Sequence, residues 1–165
     1  MNETAMKPSQ RYAEGVARGD WQNDVAQHAA LAELDRIHVA LLEDGDDGWL
    51  DRLSSFFSKP RAVKGLYFWG GVGRGKTFLV DLFYDGLPLE QKYRTHFHRF
   101  MRGIHERLRA HQGQSDPLAK IAQEWRSKLR VLVLDEFFVT DIGDAMLLAR
   151  LLERLFAEGV TLVTT

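Results

Sequence analysis

The segment Gly70-Gly71-Val72-Gly73-Arg74-Gly75-Lys76-Thr77 has the spacing Gly-x-x-x-x-Gly-Lys-Thr. The chemistry that calls for this spacing is the binding of a polyphosphate. A triphosphate needs several N–H donors converging on it, and a tight glycine loop supplies them from the main chain. A helix starting near Gly75 aims its positive end at the anion. Lys76 offers a point charge to the β- and γ-phosphates, and Thr77 a hydroxyl to Mg²⁺. Arg74, inside the loop, reads equally as a phosphate contact or a solvent-facing residue.

A second group lies downstream. Asp135 and Glu136 end the apolar run Val131-Leu132-Val133-Leu134. Carboxylates at the carboxyl end of a buried parallel strand point into the ligand crevice of an α/β sheet. Magnesium keeps several of its waters and needs only one or two protein carboxylates, a role that fits Asp135. Glu136 fits the group that orients or deprotonates the attacking water. Lys76 and Glu136 are thus the catalytic candidates, and Thr77 and Asp135 the metal candidates. The reaction they imply is hydrolysis of a nucleoside triphosphate. No residue specifies the base, and ATP is the expectation from class.

Strands and helices must position these groups. Leu66-Tyr67-Phe68-Trp69 is a short apolar run that stops at Gly70. Arg94 to Phe100 alternates and is rich in β-formers, Leu129 to Leu134 is continuously apolar, and Val160 to Thr165 is β-branched. Between them lie helical patterns over Thr77–Tyr84, Met101–His111, Leu118–Lys128 and Asp144–Glu158. The last carries a stripe of Leu148, Leu151, Leu152, Leu155 and Phe156 and stops at Gly159. This alternation predicts βαβ units and a parallel sheet. Upstream, Ala30, Leu31, Leu34, Ile37, His38, Leu41 and Leu42 form one face of a helix over Val25–Glu43. An acidic loop follows over Glu43–Gly48, then a short amphipathic helix marked by Trp49, Leu50, Leu53, Phe56 and Phe57 and ended near Pro60. Trp49, Phe56 and Phe57 are expected in the core, and residues 1–10 are expected to be frayed.

Composition narrows the class. The chain has 165 residues, 45% of them apolar, which suits about one folded domain. It has no cysteine, which excludes disulfide scaffolds, Cys-based zinc sites and thiolate catalysis. No secretory leader or membrane-length apolar run is present in these residues, so the expectation is a soluble protein of a reducing compartment. The net charge is −1 but it is unevenly spread. Residues 1–51 hold 4 Lys/Arg against 11 Asp/Glu, and residues 52–165 hold 18 against 12. An acidic leader precedes a basic body.

The segment Gly65-Leu66-Tyr67-Phe68-Trp69 with the loop through Thr77 resembles the ZapE family of AAA+ ATPases. So do His96-Phe97-His98-Arg99-Phe100-Met101, Asp135-Glu136-Phe137-Phe138-Val139 and Asp141-Ile142-Gly143-Asp144-Ala145-Met146. The leader is similar through Tyr12, Gly19, Asp24, Gln27 and Leu34. The resemblance implies an α/β P-loop NTPase of the AAA+ type, a three-layer sandwich with a central parallel sheet. Residues 1–60 are then a helical leader and 61–165 a partial nucleotide-binding core. It further implies a cytoplasmic ATPase of cell division, working as a homo-oligomer and destabilising polymers of the tubulin-like protein FtsZ. In the family the last strand runs on to a γ-phosphate-sensing polar residue, and an arginine finger and a helical lid follow. Thr165 stops short of these, so the chain is expected to be a fragment with weak activity or none.

Two features have blander readings. His96 and His98 would share one side of a strand, but no third ligand lies near in sequence, so packing or partner contact is expected rather than a metal. Residues 92–111 carry six Lys/Arg and four histidines against Glu106 alone. This stretch reads first as a solvated charged face. The alternative function it leaves open is an AAA+ loader or adaptor that binds single-stranded nucleic acid.

Overall fold

The computed structural model describes residues 6–43, 62–69 and 75–165. The acidic loop, the helix marked by Trp49, Leu50, Leu53, Phe56 and Phe57, and Gly70, Gly71, Val72, Gly73 and Arg74 lie outside the described residues. Of the described residues, 6–43, 68–69 and 75–90 cluster into one compact unit, and 62–67 with 91–165 into another. Among the described residues no helix is long and apolar enough to cross a membrane.

The first unit is helical. It contains α1 (Pro8–Arg18), a 3₁₀ turn (Val25–Gln27), α2 (His28–Glu43) and α3 (Lys76–Gly86). The helix α1 begins where the sequence suggested fraying. Its buried positions are Pro8, Tyr12 and Gly15. Two of these are residue types that usually break helices, so the helical spacing was hard to see. Pro8 nevertheless suits the first turn, where no intrahelical N–H bond is lost, and Gly19 closes the helix at φ 81°. The Asp24 carboxylate caps the 3₁₀ turn by accepting from the Ala26 N–H at 3.0 Å. The expected face of α2 is the observed one, with Leu31, Leu34, Ile37, His38 and Leu41 buried.

Aromatic side chains and their polar tips hold the unit together. The Tyr12 hydroxyl accepts from the Asp24 N–H at 2.8 Å, and the Trp21 indole donates to the Tyr12 carbonyl at 3.0 Å. Phe78 of α3 meets Trp21 edge-on, with ring centroids 4.9 Å apart, and lies 6.3 Å from Tyr12. Leu79, Val80 and Phe83 complete the buried face of α3. The helix that opens with Lys76 is therefore packed by the leader.

The second unit is a parallel sheet with its helices. The strands β1 (Leu66–Tyr67), β2 (Lys92–His96), β3 (Val131–Asp135) and β4 (Thr161–Thr164) lie in the order β1-β4-β3-β2. All three pairings are parallel, with Leu66 opposite Val163, Val133 opposite both Arg94 and Val163, and His96 opposite Asp135. The expected α/β fold with a parallel sheet is the observed one. The helices of this unit are α4 (Phe97–Ala110), α5 (Pro117–Arg126) and α6 (Ile142–Ala157). Leu132 and Leu134 of β3 share one core with Phe97, Phe100, Met101 and Ile104 of α4 and with Leu148, Leu151 and Leu155 of α6. Val131, Val133 and Val163 lie outside that core and are fully buried as well. This is why β3 reads as an unbroken apolar run.

One expectation needs correction. The alternating stretch Arg94–Phe100 is not a single strand, because β2 ends at His96 and α4 starts at Phe97. The spacing of Phe97, Phe100, Met101 and Ile104 is helical, and burying all four outweighs the β-character of the first residues. His96 and His98 therefore sit on different elements. Their rings still stack, with centroids 5.9 Å apart.

At Gly65 the chain passes so close to the Leu162 carbonyl of β4 that a Cβ would overlap that oxygen. Gly65→Ala should therefore force β1 away from β4 and destabilise the protein by about 1–3 kcal/mol, the usual cost of overpacking. Leu132→Ala should cost about 2–5 kcal/mol through the cavity it leaves. Urea unfolding followed by circular dichroism checks both, and an unchanged midpoint for Leu132→Ala would remove β3 from the core.

Candidate functional site

The first part of the site is the start of α3. Gly75 precedes it at φ 68° and ψ 19°, the left-handed region that glycine enters without strain. A Cβ there would also meet the side-chain amide of Gln27. No side-chain hydrogen bond caps this end of the helix. Lys76 is half-buried and Thr77 is exposed in the first turn. This arrangement leaves main-chain N–H groups and the helix dipole directed at whatever precedes the helix.

The second part is the carboxyl end of β3. Asp135 is the last residue of the strand, with its side chain 15% exposed. Arg94 of β2 grips it in a fork: Nε donates to one carboxylate oxygen at 2.7 Å and Nη2 to the other at 3.1 Å. Two parallel charge-assisted bonds fix the plane of the carboxylate. Sequence reading missed this partner. Its signal was present, since Arg94 is a charged residue at alternating spacing in a run otherwise suited to a strand.

Glu136 follows at φ 55°, a left-handed conformation that is uncommon for a residue with a Cβ. Thr165 holds it there, because its hydroxyl accepts from the Glu136 N–H at 3.2 Å and its main-chain oxygen accepts from the Phe137 N–H at 2.8 Å. The Glu136 side chain is turned out to solvent at 75% exposure, and its Oε2 lies 3.8 Å from His96 Nδ1. That separation is longer than a hydrogen bond and becomes an ion pair only when the imidazole is protonated. Phe137 packs between Tyr67 and Phe97, with centroid distances of 6.1 and 5.0 Å, and so anchors the turn that carries the two carboxylates.

Asp135 gives one lone pair of each oxygen to Arg94 and keeps others, the hard oxygen donors that magnesium takes. In the other unit, Thr77 is exposed. Among the described residues no cluster of three or more His, Asp or Glu side chains could hold a metal by itself.

The basic stretch 92–111 does not form one free face. Arg94 is committed to Asp135, Arg107 donates to Glu124 at 3.1 Å, and His105 pairs with Asp144 at 2.7 Å.

Comparison with known proteins follows the same lines. Two solved structures are similar: domain III of the replication initiation protein DnaA from Thermotoga maritima and the protein DnaI. The first has a TM-score of 0.54 at 17% identity, covering 88% of this chain and 53% of that one. The second has a TM-score of 0.51 at 19% identity, covering 87% and 68%. These likenesses show the fold alone, an α/β domain. In sequence the chain is 45% identical over 171 residues to the cell division protein ZapE of Escherichia coli K12, covering 98% of this chain and 46% of that protein. It thus spans about half the length of this curated relative. The family model described as AFG1-like ATPase matches residues 6–165, and the chain belongs to that family.

Proposed function

We propose that this chain is the ATP-binding part of a magnesium-dependent ATPase of cell division. The observation that carries the reading is the pair of carboxylates, Asp135 and Glu136, placed by a buried parallel strand at the end where open α/β sheets bind ligands. The loop Gly70–Thr77 and its glycine-capped helix support it. In this reading residues 1–60 are the helical leader and 61–165 the nucleotide-binding core.

The roles follow from the chemistry of each group. The main-chain N–H groups of Gly70, Gly71, Val72, Gly73, Arg74 and Gly75 cradle the phosphates. Lys76 meets the β- and γ-phosphates as a point charge, and Thr77 and Asp135 hold the cation, directly or through its waters. Mg²⁺, when bound, offsets charge on the phosphate oxygens. Arg94 fixes the Asp135 carboxylate, so the position of that charge does not depend on nucleotide. Glu136 accepts a proton from the attacking water, and the solvent-facing rotamer near His96 lets it swing. Thr165 sets the main chain from which Glu136 projects.

The similarity to the cell division protein ZapE supports a role in cell division. The proposal extends to a cytoplasmic homo-oligomer acting on FtsZ polymers, to be tested on a whole protein about twice this length.

Titration with a fluorescent ATP analogue tests the site on this chain. With Mg²⁺ present, Lys76→Ala should lose binding by about 100-fold, while Glu136→Gln should bind as tightly as the parent. Tight binding by Lys76→Ala would sink the assignment. Asp135→Asn should remove most of the gain in affinity that Mg²⁺ gives the parent. Arg94→Met leaves a part-buried carboxylate without its partner and should destabilise the fold by about 3 kcal/mol, read as a lower urea midpoint.

A further inference from the structure

The sheet has a second cleft, remote from the carboxyl ends of its strands. A cavity of about 400 Å³ opens beside the start of β2, between α4 and α5. Lys92 lies four residues before His96 on β2, roughly 13 Å along a parallel strand. The cleft is therefore separate from Asp135 and Glu136.

Its lining is of two kinds. Lys92, Arg99, Arg107 and Lys128 bring four cations, of which Arg107 is paired with Glu124, and no carboxylate lines the cleft itself. Among the described residues no acidic side chain pairs with Arg99 or Lys128, and both are exposed. The floor is apolar, built from Tyr93, Phe100, Trp125 and Leu129. Like charges gathered around an apolar floor raise the local potential for an anion that also carries an apolar group.

We propose that this cleft binds an acidic peptide segment through one apolar side chain. The side chain enters between Phe100, Trp125 and Leu129, and flanking carboxylates pair with Arg99 and Lys128. Two observations favour a peptide over single-stranded nucleic acid. Successive bases need successive open aromatic faces. Here the Trp125 ring is already engaged, by the Arg107 guanidinium 5.3 Å from its centroid and by Phe100 at 5.3 Å, which leaves Tyr93, 48% exposed. Second, β2 is at the end of the strand order, so one side of its main chain has no strand beside it among the described residues. An extended peptide can lie along such an edge.

Gly103 gives a test that spares the fold. It lines the cleft from α4, and a Cβ added there meets nothing within 4 Å. Gly103→Leu should fill the cleft while leaving the urea midpoint equal or higher, since leucine favours helix over glycine. The probe is fluorescein-labelled Asp-Glu-Asp-Glu-Phe-Asp-Glu-Asp, followed by fluorescence anisotropy at low salt. Wild-type protein should bind it, with affinity falling as salt rises. Gly103→Leu and the double variant Arg99→Glu/Lys128→Glu should each weaken binding about tenfold or more, and the charge-keeping variant Arg99→Lys/Lys128→Arg should retain it. A probe with alanine in place of phenylalanine should bind about tenfold more weakly. Absence of wild-type binding at millimolar peptide would overturn the proposal. So would binding indifferent to Gly103→Leu or to the loss of phenylalanine, or tighter binding of oligothymidylate than of the peptide.

Discussion

The guanidinium of Arg94 closing on both oxygens of Asp135 is the contact around which the sheet end is arranged. A strand buried on both faces has room for charge only where it leaves the sheet, and there the charge needs a partner. The partner comes from the neighbouring strand, two residues before the position opposite Asp135. This ties the register of β2 against β3 to the electrostatics of the site. A slip of one residue would turn Arg94 to the other face and leave the carboxylate without its fork. The turn that follows is held from two more directions, by Thr165 beside β4 and by the aromatic contacts of Phe137.

The helical unit solves a different problem. In the proposed role α3 receives phosphate at its first turn, a place that a capping side chain would fill, and α3 has no such cap. Its packing comes from Phe78 against Tyr12 and Trp21 of the leader and from the buried Leu79, Val80 and Phe83. The acidic segment at the start of the chain is thus more than a solvated appendage. Its helices α1 and α2 supply the packing that α3 needs.

Much of this was legible in the residues. The run Val131–Leu134 ending in Asp135-Glu136 gave the buried strand, because apolar residues on both faces leave no other home for it. The stripe on α6 and its stop at Gly159, found at φ 86°, were read from spacing alone, except that Phe156 is exposed rather than part of the buried face. What escaped detection depended on contacts that spacing does not encode. The helix α1 buries proline and glycine, which carry little hydrophobic signal. The boundary at Phe97 turned on four apolar side chains sharing one core, a tertiary preference that overrode local β-character. Arg94, His96 and Thr165 became part of the site only when separate strands brought them to one sheet end.

The strand order has a consequence for how the protein is made. β4 sits between β1 and β3 in space but follows both in the sequence. Leu66 pairs with Val163, about 100 residues later, so β1 has no neighbour while the intervening chain is being synthesised. β2 and β3 can pair first and form a half-sheet with its apolar edge open. On the ribosome this half-sheet waits for Thr161–Thr164 to emerge, and during that interval it is a natural target for chaperones.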